Sequence, residues 1–337
     1  MTRLRFDPDP DATEFAKEVA ALLEKRADRA ALRAAWDSEG GRIAHLWRDL
    51  AAMGATGLAV PEEFGGAGLD LTATMPLLIE VGRAGLPEPL ATTIAAAEIV
   101  RRSDEAARWL PGIADGSIAL GLGAGPGGIV VGVSWADQVI VAAGQSEVLV
   151  LPVSDIGWPA LASADRGRRL AGIGEIPETA TKLSGVDAAS AFDVSVVTTA
   201  AELLGVAQAM LEMSVEYAKT REQFGQPIGG FQAIKHHLAN VYVGLSFARP
   251  VVARGMWSVA TGQPTASRDT SHAMAAAGHA AKLAARIALQ VHAGIGYTYE
   301  HDLHMWLKRT WTLTSVFGDP SWHRERVATF VVDGETA

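Results

Sequence analysis

The hydrophobic period changes twice along this chain, and those two changes restrict its architecture more than any bulk property does. From about residue 10 to 110 apolar residues recur at helical spacing. ATEFAKEVAALLEKRADRAALRAAW sets Phe15, Val19, Leu22 and Leu23 on one face, and HLWRDLAAMGATGLAV ends a helix near Gly54. A Gly-rich loop, PEEFGGAGLDL, then leads into a helix for which Asp70 or Thr72 is the expected N-cap and Gly85 with Pro87 the stop. From about 115 to 185 the runs are short and β-branched: SIALGLG, GIVVGV, QVIVAAG, EVLVLPV and RLAGIGEI, divided by Gly, Pro, Asp and Ser. From about 187 to 330 long Ala-rich amphipathic runs return, and FQAIKHHLANVYVGL places Phe231, Ile234, Leu238, Val241 and Leu245 on one side. The order predicts an α+β protein of three units: a helical domain over 1–112, a small β domain over 113–186 and a helical domain over 187–337.

Charge and composition narrow the function classes. A formal net charge of −9 argues against a large nucleic-acid footprint, yet one arginine and a few backbone N–H groups suffice to hold a phosphate. With no cysteine there is no disulfide, thiolate nucleophile or Cys-based metal site, which is compatible with a reducing compartment. The N-terminal MTRLRFDPDPDATEF is too charged to read as a signal peptide. The most apolar stretches are cut by Glu202, Lys282 or Arg286, short of the roughly 20 apolar residues that a membrane span needs. A cytoplasmic location is the expectation.

Three segments carry candidate chemistry. GLGAGPGG contains a formal G-x-G-x-x-G at Gly123, Gly125 and Gly128, but a dinucleotide fingerprint needs a helix to follow and GIVVGVSW reads as a strand. A tight turn between strands is the better account. EHDLH offers His301 and His304 within one helical turn, too few ligands to fill a coordination sphere, and adjacent His236 and His237 diverge by about 100° on a helix. No metal site is expected; these histidines read as surface or interhelical contacts. The third segment, TREQFGQPIGGFQAIKHHLAN, breaks two helices with a corner carrying Arg221, Gln223, Phe224 and Gln232. Arg221 offers a fork for phosphate and Phe224 a flat stacking surface. A related piece follows at Gln290, where QVHAGIGYTYEHDLH supplies an amide and two glycines, Gly294 and Gly296, that let backbone approach a ligand. Taken alone, such a corner is more often a packed helix junction; two pieces of like chemistry shift the balance.

R-E-Q-F-G-x-P-I-G-x-F-Q-A-I-K-H-x-L-A, together with VPEEFGGAGLDL from Val60 and QVHAGIGYTYEHDLH, resembles the acyl-CoA dehydrogenase family. The resemblance runs through the first 100 and the last 150 residues. It implies an N-terminal helical domain, a middle β domain and a C-terminal four-helix bundle, assembled through the bundle, with FAD as cofactor. It further implies that Arg221, Gln223, Phe224, Gln232, Gln290, Val291, Gly294 and Gly296 face the adenine-pyrophosphate half of an FAD held mainly by a neighbouring subunit. Ala293 stands where the family usually has glycine, a mild departure.

The family's reaction removes a proton α to a thioester and a hydride from the β carbon, so a carboxylate base must lie within hydrogen-bond reach. By position, Ser195 and Phe317 occupy the two places where that glutamate is found, and neither takes up a proton. The loops that cover the flavin ring, of T-E-P-x-x-G-S-D and W-I-T-N-G type, have no clear counterpart. The resemblance therefore implies a short subunit of an α2β2 enzyme of the actinobacterial type acting on steroid side-chain CoA thioesters. A full-length acyl-CoA dehydrogenase-like partner would supply ring loops and base, and a separate acceptor would take the electrons. Two alternatives stay open: a self-sufficient homo-oligomer using Asp319 or Glu202 as a displaced base, and a non-enzymatic assembly scaffold. Asp319 capping a helix begun by Pro320, and Glu202 pairing within the bundle, are the structural readings of those carboxylates.

Overall fold

The computed structural model describes residues 9–332, apart from 124–127, 144–146, 156 and 174. The first unit is helical: α1 (Pro10–Arg26), α2 (Arg29–Asp37), α3 (Leu46–Ala52), α4 (Leu71–Ala84), α5 (Leu90–Val100) and α6 (Ala106–Ala114). Local chemistry sets several ends. Asp9 and Asp28 cap α1 and α2 through their carboxylates, and Asp70 accepts from the Ala73 N–H at 3.0 Å to start α4. Gly85 closes α4 in the left-handed conformation (φ 64°), as its position predicts. Val19 and Leu23 are buried and Phe15 and Leu22 pack against the same core, so the expected face of α1 is the one used.

The β unit is a mixed seven-stranded sheet in the order β5-β6-β2-β1-β3-β4-β7. Its strands are β1 (Leu120–Gly123), β2 (Ile129–Val131), β3 (Gln138–Ala143), β4 (Glu147–Pro152), β5 (Ala160–Leu161), β6 (Leu170–Gly172) and β7 (Thr181–Lys182). The five expected runs become β1, β2, β3, β4 and β6; β5 and β7, two residues each, are too short for a period to reveal. β1 pairs antiparallel with β2, Leu122 opposite Val131, so the glycine run joins two strands as the turn reading requires and no helix follows it. Gly125 of that run lies outside the described residues.

The third unit opens with α7 (Ala188–Thr220), followed by the small hairpin β8 (Glu222–Gln223) and β9 (Gln226–Pro227), then α8 (Gln232–Ala260), α9 (Ala266–His292), α10 (Leu303–Val316) and α11 (Pro320–Val332). α7 to α10 pack as a bundle, with α11 laid on α9. α4 crosses α7 so closely that a Cβ at Gly82 would meet the Glu202 carbonyl at 2.0 Å, and one at Gly205 the Ile79 carbonyl at 1.8 Å. These two glycines are what allow the N-terminal unit to seat on the bundle. The membrane expectation needs correcting at one point: α7 is long and apolar enough to cross a membrane by composition. In the fold 89% of that apolar window is buried inside the protein, which is the behaviour of a core helix whose every face meets another element.

Candidate functional site

The corner after α7 is a two-residue hairpin. Glu222 pairs with Pro227 and Gln223 with Gln226, leaving Phe224 and Gly225 as the turn, both with positive φ (54° and 79°). That is the backbone of a type I′ turn, where Asn-Gly is usual and a bulky side chain is strained. Phe224 is also 93% exposed, with the Phe231 ring edge-on to it at 6.1 Å between centroids. Neither packing nor backbone preference accounts for a phenylalanine at this tip, and a strained, exposed aromatic is a sign of recognition. Arg221 ends α7: its N–H donates to the Tyr217 carbonyl and its carbonyl accepts from the Ile228 N–H, each at 2.8 Å. Its exposed guanidinium has no hydrogen bond or ion pair among the described residues. Gln223 donates only to the neighbouring Glu222 carbonyl, and Gln232 is exposed at the first turn of α8.

The second segment sits at the same end of the bundle. The Tyr217 ring, one turn before Arg221, stacks on His292, two residues after Gln290, with centroids 4.5 Å apart. His301 closes this stack edge-on to His292 at 4.6 Å, and burial holds both imidazoles below their ordinary pKa. Arg33 of α2 pins the following loop through Asp302 (2.6 Å) and the Tyr299 and Glu300 carbonyls (2.7 and 2.8 Å). Gln290 is exposed, and a Cβ at Gly294 would meet nothing within 4 Å, so the backbone there is open to a ligand. Gly296 is buried against His292 and Leu289 and serves packing. Val291 is buried in the core, so its side chain is turned away from this surface. Ala293 has φ 52° and ψ −137°, a conformation natural to glycine, so its methyl group is a larger departure than the sequence implied.

The positions read as the family's base lie in a different environment. Ser195 is 1% exposed and donates to the Ala191 carbonyl at 2.9 Å; Phe317 is 2% exposed. Asp319 is the exposed N-cap of α11, accepting from the Ser321 and Trp322 N–H groups at 2.6 and 3.0 Å, and those bonds lower its pKa. Glu202 is buried between Arg168 of the β unit and Arg309 of α10, so its pairing reaches beyond the bundle. Arg309 also binds Asp165 and donates to the Leu86 carbonyl at 3.0 Å. Four charges from two units and a carbonyl from the third thus meet at one junction.

Several buried carboxyls escaped sequence reading, Glu98, Asp165, Asp193 and Asp269 among them, and Glu88 is the one with a bare oxygen among the described residues. Glu88 accepts from the Ile43 N–H at 2.8 Å, its other oxygen has no partner, and burial pushes its pKa up to about 7. It follows Pro87 in a loop, and its sequence neighbours give no sign of burial. His304, against Trp36 and Tyr299, and His323, bonded to Ser271 and the Phe317 carbonyl, are both held near 4, chiefly by burial.

Comparison with known proteins places this geometry. The acyl-CoA dehydrogenase N-terminal domain model matches residues 9–117, and the C-terminal domain model matches 185–332. The chain is 39% identical over 304 residues to the acyl-CoA dehydrogenase IpdE2 of Mycobacterium tuberculosis, covering 89% of this chain and 91% of that one. It belongs to the acyl-CoA dehydrogenase family. A solved structure of a variant of the Tcur3481–Tcur3483 steroid ACAD superposes with a TM-score of 0.82 at 26% identity, covering 97% of this chain and 99% of that one. The ChsE4–ChsE5 complex from Mycobacterium tuberculosis shares the fold with a TM-score of 0.83 at 22% identity over 98% and 99%. The acyl-CoA dehydrogenases are FAD-dependent oxidoreductases acting on acyl-CoA. The unpaired guanidinium of Arg221, the outward ring of Phe224 and the open backbone at Gly294 fit a flat, anionic dinucleotide approached from outside the chain.

Proposed function

We propose that this chain is one subunit of a heteromeric acyl-CoA dehydrogenase of cytoplasmic, steroid-CoA type. It lends Arg221, Phe224, Gln290 and Gly294, with Gln223 and Gln232 beside them, to an FAD whose ring and catalytic base belong to a full-length partner subunit. The observation that carries this is Phe224: an exposed ring on a strained turn, next to an unpaired arginine, has a purpose only when something outside the chain covers it. Bound FAD supplies the acceptor for the hydride that leaves the β carbon. This chain's contribution would be to hold the nucleotide tail: Arg221 would supply a cation for phosphate oxygens, Phe224 a flat face for stacking, and Gly294 a backbone with no side chain in the way.

The environment of the base positions supports the same division. Ser195 and Phe317 have nothing to ionise, Asp319 is committed to a helix start, and Glu202 is held by two arginines. A self-sufficient enzyme would need one of them free, or Glu88, whose pKa of about 7 suits a base but whose place is a loop junction. A scaffold, by contrast, has no use for Arg221 or Phe224. The steroid ACAD lends the substrate class, and the ChsE4–ChsE5 complex is an instance of this fold in a two-component assembly.

The test is flavin content and dehydrogenase activity of the chain alone and after co-expression with a full-length acyl-CoA dehydrogenase paralogue. Flavin and activity should appear only in the complex. Full activity of the chain alone, abolished by Glu88→Gln, would replace this reading with the self-sufficient one.

A further inference from the structure

The loop between α9 and α10 is bracketed by two histidines whose rings touch. His292 is the last residue of α9 and 1% exposed; His301, half-buried, stands just before α10 begins at Leu303. Their centroids lie 4.6 Å apart, so residues 293–302 leave and rejoin the bundle at one place. Tyr217 of α7 stacks on His292 at 4.5 Å and meets His301 edge-on at 6.1 Å. The Tyr217 carbonyl also accepts from the Arg221 N–H. Three rings thus connect the exit of α7, which carries Arg221 and Phe224, to the loop that carries Gly294.

Hydrogen bonding fixes the tautomer of each imidazole. His292 Nδ1 lies 2.8 Å from the Ala288 carbonyl, which can only accept, so Nδ1 carries the proton. Its Nε2 is buried with no hydrogen-bond partner among the described residues. His301 Nδ1 accepts from the Leu303 N–H at 3.1 Å, so that nitrogen is bare. A second proton is opposed at both rings. On His292 it would be a buried donor with nothing to bind; on His301 it would set donor against donor at the first amide of α10. Around His301, Asp302 favours a positive charge while Arg29 and Arg33 of α2 oppose it, and Asp302 is already bound by Arg33 at 2.6 Å. Across the adjoining cleft, Glu212 is paired with Arg83 of α4 and Glu216 with Lys219. Burial acts in the same direction on both rings, holding each below the ordinary imidazole value.

We propose that His292 and His301 are positioning residues for the corner after α7: a neutral ring pair that clamps residues 293–302 against Tyr217 and lets go when either ring takes up a proton. That the clamped loop serves a nucleotide rests on the heteromeric reading above; the clamp itself does not. A ring that stays neutral when clamped and titrates normally when free favours the clamp above the ordinary imidazole value, and that contribution is lost as pH falls. At about pH 5.5, roughly one unit below that value, each freed ring favours opening by about tenfold.

Hydrogen exchange of the 293–302 amides in the chain alone, corrected for the chemical rate, should report roughly tenfold more opening at about pH 5.5 than at about pH 7.5. His292→Phe combined with His301→Asn keeps a flat ring against Tyr217 and an acceptor for the Leu303 N–H but has nothing to titrate, so its loop should open equally at both. His301→Asn alone, at the less buried ring, should reduce the response. Glu88 titrates in the same window with the opposite sign, whereas His304 and His323, held near 4, stay neutral through it. The response therefore counts when it is confined to this loop. A wild-type loop indifferent to pH, or a response that the double variant retains, overturns the clamp. In the co-expressed complex, wild type should release flavin roughly tenfold faster at the lower pH, and the double variant should not. A wild-type loop that opens in acid while flavin release stays level leaves the clamp standing and removes the corner from flavin binding.

Discussion

The middle of α7, around Glu202, and its C-terminal exit, at Arg221, lie nineteen residues apart, about 28 Å along one helix at 1.5 Å per residue. Around Glu202 every charge is answered: Arg168 and Arg309 hold it, and Asp165 completes the set in a site closed to water. At Arg221 the guanidinium has no hydrogen bond or ion pair among the described residues, Phe224 stands in solvent, and the turn that carries it is strained. The first arrangement is complete within one chain and belongs to folding. The second is left open within the described residues, and it is the part that we propose the chain offers to a ligand. Burial with full pairing against exposure with strain separates structural from functional charge here more reliably than residue type does.

That contrast can be broken at its strongest point first. Arg309→Met removes the cation shared by Asp165 and Glu202 and leaves buried carboxylates under-paired, so denaturant unfolding should report a loss of roughly 3–5 kcal/mol. A change below about 1 kcal/mol would mean the junction is not closed.

Next comes Glu88. Its folded pKa of about 7 lies above the ordinary carboxyl value, so the native state binds the proton more tightly than the unfolded chain does. The resulting stability is fully present below the unfolded pKa and is lost as pH rises through about 7. Glu88→Gln keeps the acceptor for the Ile43 N–H and removes the titration. The variant should exceed wild type by roughly 2–4 kcal/mol at pH 8 and show no slope between the two pKa values. Equal pH slopes in the two proteins would count against the buried-carboxyl assignment.

At the open end the signs reverse. Arg221→Ala with Phe224→Ala should leave the melting temperature of the chain unchanged or slightly higher, while weakening flavin retention in the co-expressed complex by roughly 10- to 100-fold. Loss of stability without loss of flavin would turn the corner into a packing feature. The smallest effect is expected at Ala293→Gly. Relief of positive-φ strain, of order 1–3 kcal/mol, outweighs the extra freedom of an unfolded glycine, for a net gain of about 1 kcal/mol in denaturant unfolding.

Much of the fold was legible because it is local. Helical and strand periods name most of the elements from a few neighbours each, Asp70 and Gly85 mark the ends of α4 by capping chemistry alone, and Asp319 is a cap by its place before Pro320. Of the corner after α7, Arg221 and Phe224 could be named, but their isolation could not, since exposure depends on what the rest of the chain leaves uncovered. Glu202 shows the opposite limit. Read as a bundle contact, it does pair with Arg309 of α10, but Arg168 from another unit holds it too, and that bond depends on two distant segments meeting. α7 shows it again: an apolar window is the same string in a membrane or in a core, and only packing against the other elements tells which.

What the sequence determined unaided is the order of helices and strands and the ends of α4 at Asp70 and Gly85. These follow from neighbour spacing and side-chain chemistry. The tertiary structure alone decided that Asp165 and Arg309, 144 residues apart, share a buried bond. It also decided that Phe224 and Ala293 sit at positive φ. Those facts depend on which distant groups are brought into contact and which are left in water, and neither distance nor solvent is written in the order of residues.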